Sequence, residues 1–209
     1  MLRGVLVLVA AFGLSGCAAE KIWAPDEAVR AAAYVHNGPP EIALVTSISN
    51  RTGEGAHSAL LINGSQRILF DPAGNWKSQD RAPERNDVRF GMTPQMEANF
   101  LGYQSYGVYH AVVQRVTVSP QVAERAMQLA MSNGAVAPAM CASATSGILK
   151  QLPGFENVKS SMFPKSLMES FANVPGVKTT IIEGAPPKDE ANLPLNVSPV
   201  IKAAVAAGR

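Results

Sequence analysis

The dipeptide Asn63-Gly64 constrains this chain more than any other feature. It stands between two apolar runs, His57-Ser-Ala-Leu-Leu-Ile62 and Gln66-Arg-Ile-Leu-Phe-Asp71. A type I′ turn needs φ > 0 at both central residues, which Asn-Gly tolerates, so the pattern predicts a β-hairpin. The register follows from the turn. With a three-residue loop at 63–65, paired positions sum to about 128 and His57 lies opposite Asp71. With a two-residue turn they sum to about 127, His57 faces Phe70, and Asp71 points to the other face unless a bulge restores the first pairing.

The rest of the chain extends this sheet. Glu41–Ser49 is rich in β-branched residues and reads as a strand, followed by a loop at 50–56. Residues 75–88 are polar and read as irregular, and a short helix follows Thr93-Pro94 to about Leu101. Tyr106–Val118 is a long strand. Ser119-Pro120 then opens a helix, Ser as N-cap and Pro at the first helical position, and Asn133-Gly134 stops it. Further helices are expected from Met140-Cys141 to about Leu152 and from Pro164 to about Asn173, and a last strand over Lys178–Glu183. This predicts an α+β fold, an antiparallel sheet with helices on one side, over residues 41–183. Residues 17–40 read as a linker with a helical stretch at 28–36, and residues 184–209, with four prolines, as a loose tail.

The N-terminus carries an address. A single Arg3 precedes the apolar run Val5–Leu14, then Ser15-Gly16-Cys17. Ten helical residues cover about 15 Å, half a bilayer core, so this is a signal-peptide core over residues 1–16 and not an anchor. Leu14-Ser15-Gly16-Cys17 resembles the bacterial lipobox. The resemblance implies cleavage before Cys17, a diacylglycerol on its sulfur and acylation of its amine, which suffices for stable attachment to membrane lipid. No aspartate follows Cys17; in a Gram-negative cell that resembles a lipoprotein of the outer membrane, facing the periplasm.

Lipidation of Cys17 would leave Cys141 as the one thiol of the mature chain. An unpaired cysteine in an oxidising envelope is either buried and inert or chemically employed. Cys141 opens a predicted helix, where unsatisfied N–H groups and the macrodipole favour a thiolate. The small residues Ala142-Ser-Ala-Thr-Ser-Gly147 leave room for a carbonyl substrate. A thiolate nucleophile wants an imidazole beside it. Of three histidines, His36 precedes a Pro-rich loop and His110 lies within a strand. His57 begins a strand after a glycine loop, and is the favoured base. Asp71 is the candidate to orient it, ahead of Asn75 and Asn63, although Asp before Pro also makes ordinary turns.

The segments Glu54-Gly-Ala-His57-Ser-Ala-Leu-Leu-Ile62 and Met140-Cys141-Ala-Ser-Ala-Thr-Ser146 together resemble the circularly permuted papain-like thiol hydrolases, related to NlpC-type endopeptidases and the lecithin–retinol acyltransferase group. The histidine precedes the cysteine, as in the permuted order. The likeness covers roughly residues 41–150, with the departure that the polar residue of the second hairpin strand is Asp71. It implies a permuted papain-like fold, and hydrolysis or transfer of an amide or ester on peptidoglycan peptides or lipids. The expected roles are nucleophile for Cys141, base for His57 and orienter for Asp71.

Other chemistries have no residues to carry them. The sequence has no His-Glu-x-x-His, no cysteine pair for zinc, no Gly-x-x-x-x-Gly-Lys and no Gly-x-Ser-x-Gly. No cofactor and no metal are expected. A net charge of +2 with only 16% charged residues offers no basic face for nucleic acid. Trp76, Arg81 and Arg85 are candidate substrate contacts in the polar loop. The competing reading is a non-catalytic envelope lipoprotein that binds a partner or peptidoglycan, with Cys141 packed in its core.

Overall fold

The computed structural model describes residue 19, residues 21–76 and residues 82–184. The expected leader 1–16, Cys17, Arg81 and the tail from 185 onward lie outside the described residues. The order of elements is α1 (Asp26–Ala32), β1 (Glu41–Ser49), β2 (Gly55–Asn63), β3 (Arg67–Phe70), β4 (Glu84–Arg85), β5 (Val88–Phe90), α2 (Pro94–Gln104), β6 (Tyr109–Thr117), α3 (Pro120–Ser132), α4 (Cys141–Leu149), α5 (Pro164–Phe171) and β7 (Lys178–Glu183). The fold is α+β. One seven-stranded antiparallel sheet runs β4-β5-β3-β2-β1-β6-β7.

Helices cover both faces of this sheet, not the one side expected. The apolar runs show why. Even-numbered Ile42, Leu44, Leu60, Ile62, Ile68 and Phe70 pack with α3, α4 and α5 through Ala126, Ala142, Leu149, Leu167 and Phe171. Odd-numbered Ala43, Val45, Ala59, Leu61 and Leu69 pack with α2 through Met96, Phe100 and Leu101. A strand apolar at successive positions must be buried on both faces, because consecutive side chains point opposite ways.

The hairpin forms, with a different turn. Asn63 pairs with Arg67 and Leu60 with Phe70, so the loop is Gly64-Ser65-Gln66 and paired positions sum to 130. Neither Asn63 nor Gly64 takes positive φ. Asn63 is held in the strand, where its side-chain amide donates to the Pro39 carbonyl at 2.8 Å. The loop is tied outward as the Ser65 N–H bonds the Glu124 carboxylate of α3.

The polar stretch 75–88 is not wholly irregular. Its end carries β4 and the start of β5, two short strands added in turn to the edge of the sheet, β5 on β3 and β4 on β5. Trp76 is 2% exposed and packs edge-on against Phe100, so it is a core residue and not a substrate contact. Arg85 stacks over Trp23 and bonds Asp26, tying α1 to β4. The remaining boundaries differ from expectation by a few residues: β2 starts at Gly55, β6 at Tyr109, and α4 ends at Leu149. No described helix is long and apolar enough to cross a membrane.

Candidate active site

His57, Asp71 and Cys141, distant in sequence, come together at one end of the sheet. His57 is the third residue of β2. Its neighbour Ala56 is an extra residue in the ladder, since Ser47 pairs with His57 and Ile48 with Gly55. Such a bulge turns the strand locally and re-aims the adjoining side chain. Glycine is needed at 55, because a Cβ there would press on the Pro164–Lys165 backbone.

Asp71 follows the last residue of β3. The ladder puts it across from Ala59, two places from His57, so the expected direct opposition is replaced by a diagonal one. The even sum keeps both side chains on one face, and a diagonal neighbour is within reach of a histidine. The His57 Nε2 lies 2.7 Å from Asp71 Oδ1. The carboxylate accepts the ring Nε2–H, and the same ring is hydrogen-bonded to Cys141. Asp71 is 1% exposed at its side chain and His57 17%.

A tight turn sets the carboxylate. In Asp71-Pro72-Ala73-Gly74 the Gly74 N–H donates to the Asp71 carbonyl at 2.9 Å, with Ala73 at φ +53°. A Cβ at Gly74 would overlap the Asp71 carboxylate, so glycine is a steric requirement of this acid's position. Asp87, in the turn just before β5, accepts the Asp71 N–H through its carbonyl at 2.8 Å.

Cys141 is the first residue of α4 and is 6% exposed. A second turn delivers it: in Ala137-Pro138-Ala139-Met140 the Met140 N–H donates to the Ala137 carbonyl at 3.2 Å, with Ala139 at φ +66°. Met140 supplies no side-chain cap. The first N–H of α4 bonded within the helix is that of Ala144, on the Met140 carbonyl. The N–H groups of Cys141, Ala142 and Ser143 therefore have no carbonyl one turn back, and their partial charges favour an anion.

Electrostatics couple the three residues. Burial pushes the Cys141 thiol up. The hydrogen bond to His57 and its charge, with the Ser58 N–H and hydroxyl, outweigh it and hold the thiol below its usual value. Burial alone would lower the His57 pKa. The hydrogen bond to Asp71, then the bond to Cys141 and the charges of both, raise it to about 10. The ring therefore holds its proton more tightly than the sulfur does, with a carboxylate behind the imidazole. Burial, and then the negative charge of Asp71, also raise the Tyr103 phenol, so Asp71 acts as a local negative centre.

The other candidates have partners of their own. His36 Nδ1 meets the Tyr34 hydroxyl at 3.4 Å, and His110 Nδ1 meets Asn50 Oδ1 at 2.6 Å. Asn75 accepts from the Tyr103 hydroxyl at 2.6 Å, while Asn63 is engaged with Pro39. Sequence reasoning passed over Ser58, Gly74 and Asp87. Around Asp87 the sequence signals only a local turn, since Asn86-Asp87 precedes the alternating Val88-Arg89-Phe90.

Among the described residues no group of three or more His, Cys, Asp or Glu side chains is arranged to hold a metal ion. Comparisons with protein-family models, curated proteins and solved structures return no match for this chain.

Proposed function

We propose that the chain is a cysteine hydrolase or acyltransferase of the permuted papain-like kind, with Cys141 as nucleophile, His57 as acid–base and Asp71 as orienter. The observation that carries the reading is one imidazole shared between a carboxylate at 2.7 Å and a thiol at a helix start. The chemistry then follows. The Cys141 thiolate attacks the carbonyl carbon of an amide or ester, and the C–O π pair moves to oxygen. The free N–H groups of the first turn of α4 stabilise that oxyanion. The His57 imidazolium protonates the leaving amine or alcohol as the C–N or C–O bond breaks, which yields a thioester on Cys141. Water or an acceptor hydroxyl or amine, deprotonated by His57, then attacks the thioester and returns the thiolate.

The low exposure of Cys141 favours the alternative of a non-catalytic lipoprotein with a packed cysteine. Two features speak against it. A cysteine packed among aliphatics needs no hydrogen-bonded imidazole, and its thiol would be raised, not lowered. The substrate classes proposed from the family resemblance are a peptidoglycan peptide and a lipid ester or amide. The proposed location is the cell envelope, on the periplasmic face of the outer membrane, held by lipid on Cys17; its basis is the lipobox resemblance of Leu14–Cys17.

The test is acyl-enzyme trapping. Full-length protein is mixed with an activated acyl ester, quenched in acid, and its Cys141 peptide weighed. An acyl adduct absent from Cys141→Ala supports the reading. No adduct, or one on another residue, contradicts it.

A further inference from the structure

Asp87 bonds the turn that carries Asp71 and the residue that leads into the turn delivering Cys141. It sits between β4 and β5, is 8% exposed, and directs its two carboxylate oxygens at two separate stretches of chain. Oδ1 accepts the Ala73 N–H at 3.3 Å, inside the turn that carries Asp71. Oδ2 accepts the Val136 N–H at 2.6 Å, one residue before the turn that delivers Cys141. Its carbonyl accepts the Asp71 N–H at 2.8 Å.

Charge makes the placement costly. A second carboxylate close to Asp71 is repelled by it, and Arg89 is the cation that offsets this. Burial, first, and then Asp71 hold the Asp87 carboxyl above its ordinary range, against the pull of the two N–H bonds and Arg89. A surface loop would place such a group in water. Here both oxygens are spent on backbone donors, and those donors belong to the two segments whose separation fixes the His57–Cys141 contact.

Resting on the thiol-hydrolase reading, we propose that Asp87 is a positioning residue: its carboxylate clamps the Asp71 turn to the segment entering α4 and thereby sets the imidazole–thiol geometry. It touches neither sulfur nor imidazole and acts only through the two backbone segments. Asp87→Asn keeps the size and one acceptor but turns an NH₂ toward the second N–H, so one arm of the clamp opens. Asp87→Glu keeps the charge and displaces both oxygens.

The experiment is the pH dependence of iodoacetamide alkylation, followed on the Cys141 peptide, for the full-length wild type, both Asp87 variants and His57→Ala. Thermal unfolding is recorded for each. The proposal expects cooperative unfolding in at least one Asp87 variant. In that variant the Cys141 profile should move toward an ordinary thiol, with labelling at pH 6 reduced about tenfold for each unit of pKa recovered. A folded variant with the wild-type profile overturns the proposal while leaving the Cys–His pair intact. Loss of cooperative unfolding in both variants also overturns it, by making Asp87 a residue of the fold and not of the site. A wild-type profile that is already ordinary, and unchanged in His57→Ala, overturns the functional reading itself.

Discussion

Two turns of this protein are built alike and used differently. Asp71-Pro72-Ala73-Gly74 and Ala137-Pro138-Ala139-Met140 share proline in second place and an alanine at positive φ in third. Both close with an N–H to carbonyl bond from the fourth residue to the first. Proline presets the second position and the third must turn left-handed. In the first turn the functional group is the opening residue, and the closing residue is a glycine that makes room for it. In the second the functional group comes just after the turn, and the closing residue is a methionine that leaves the helix start uncapped. Contrast α3, where Ser119 Oγ accepts the Val122 N–H at 3.3 Å. The chain can cap a helix when stability is the only demand. At α4 it leaves the N–H groups open, which a helix bearing a thiolate can use.

The strongest way to break this pairing is to remove what the two turns bring together. His57→Ala should slow alkylation of Cys141 at pH 6 by tenfold or more, since each unit by which the thiol pKa rises removes about tenfold of thiolate there. Thiol mapping by mass spectrometry reads this. Gly74→Ala should come next. Its methyl displaces the Asp71 carboxylate, so labelling at pH 6 should fall severalfold, and the double variant with Asp71→Asn should fall no further than Asp71→Asn alone. Additive losses would separate Gly74 from Asp71.

Smaller effects sharpen the contrast between the turns and the caps. Ala73→Gly or Ala139→Gly lifts a left-handed penalty of roughly 1–2 kcal/mol. Against it stands about 0.4–1 kcal/mol of added unfolded-state entropy, so each should raise stability by up to about 1.5 kcal/mol in urea unfolding. Ala126→Gly, inside α3, should instead lower it by more than the ~1 kcal/mol of helix propensity, because a packed methyl is lost as well. Ser119→Ala should cost about 1 kcal/mol of stability and leave Cys141 labelling unchanged, because that cap serves α3 alone.

Much of the fold was legible because its signals are local. Thr93-Pro94 and Ser119-Pro120 announce α2 and α3, and both caps form as side-chain acceptors. The strands β1, β2, β3, β6 and β7 are each long enough, or apolar enough, to be recognised. What escaped depended on tertiary partners. Strands β4 and β5 span two and three residues, and exist because β5 pairs with β3 and β4 with β5. The hairpin register shifted because Asn63 bonds Pro39, a contact twenty-four residues away. Helices on both faces were implied by the unbroken apolar runs of β1 and β2, but an Ile-Ala-Leu-Val stretch does not say which helix covers which side. For the site, Cys141, His57 and Asp71 were recognisable as residue types in a plausible order. Asp87 was not, since it works through backbone N–H groups of Ala73 and Val136 that no side-chain motif records.

The central claim is that Cys141 and His57 form an ion pair over the neutral range. The sign follows from both shifts. A lowered thiol pKa means thiolate persists to lower pH than in an ordinary thiol and is lost as pH falls through the lowered value. A ring pKa of about 10 means the imidazolium persists until pH approaches that value. The direct measurement is therefore the alkylation rate of Cys141 from pH 4 to pH 10, in wild type and in His57→Ala. The account predicts a wild-type rate already high and nearly flat through neutrality, and a variant rate that rises only near the pKa of a free thiol. Two superimposable curves, both rising near pH 8.5, would contradict it.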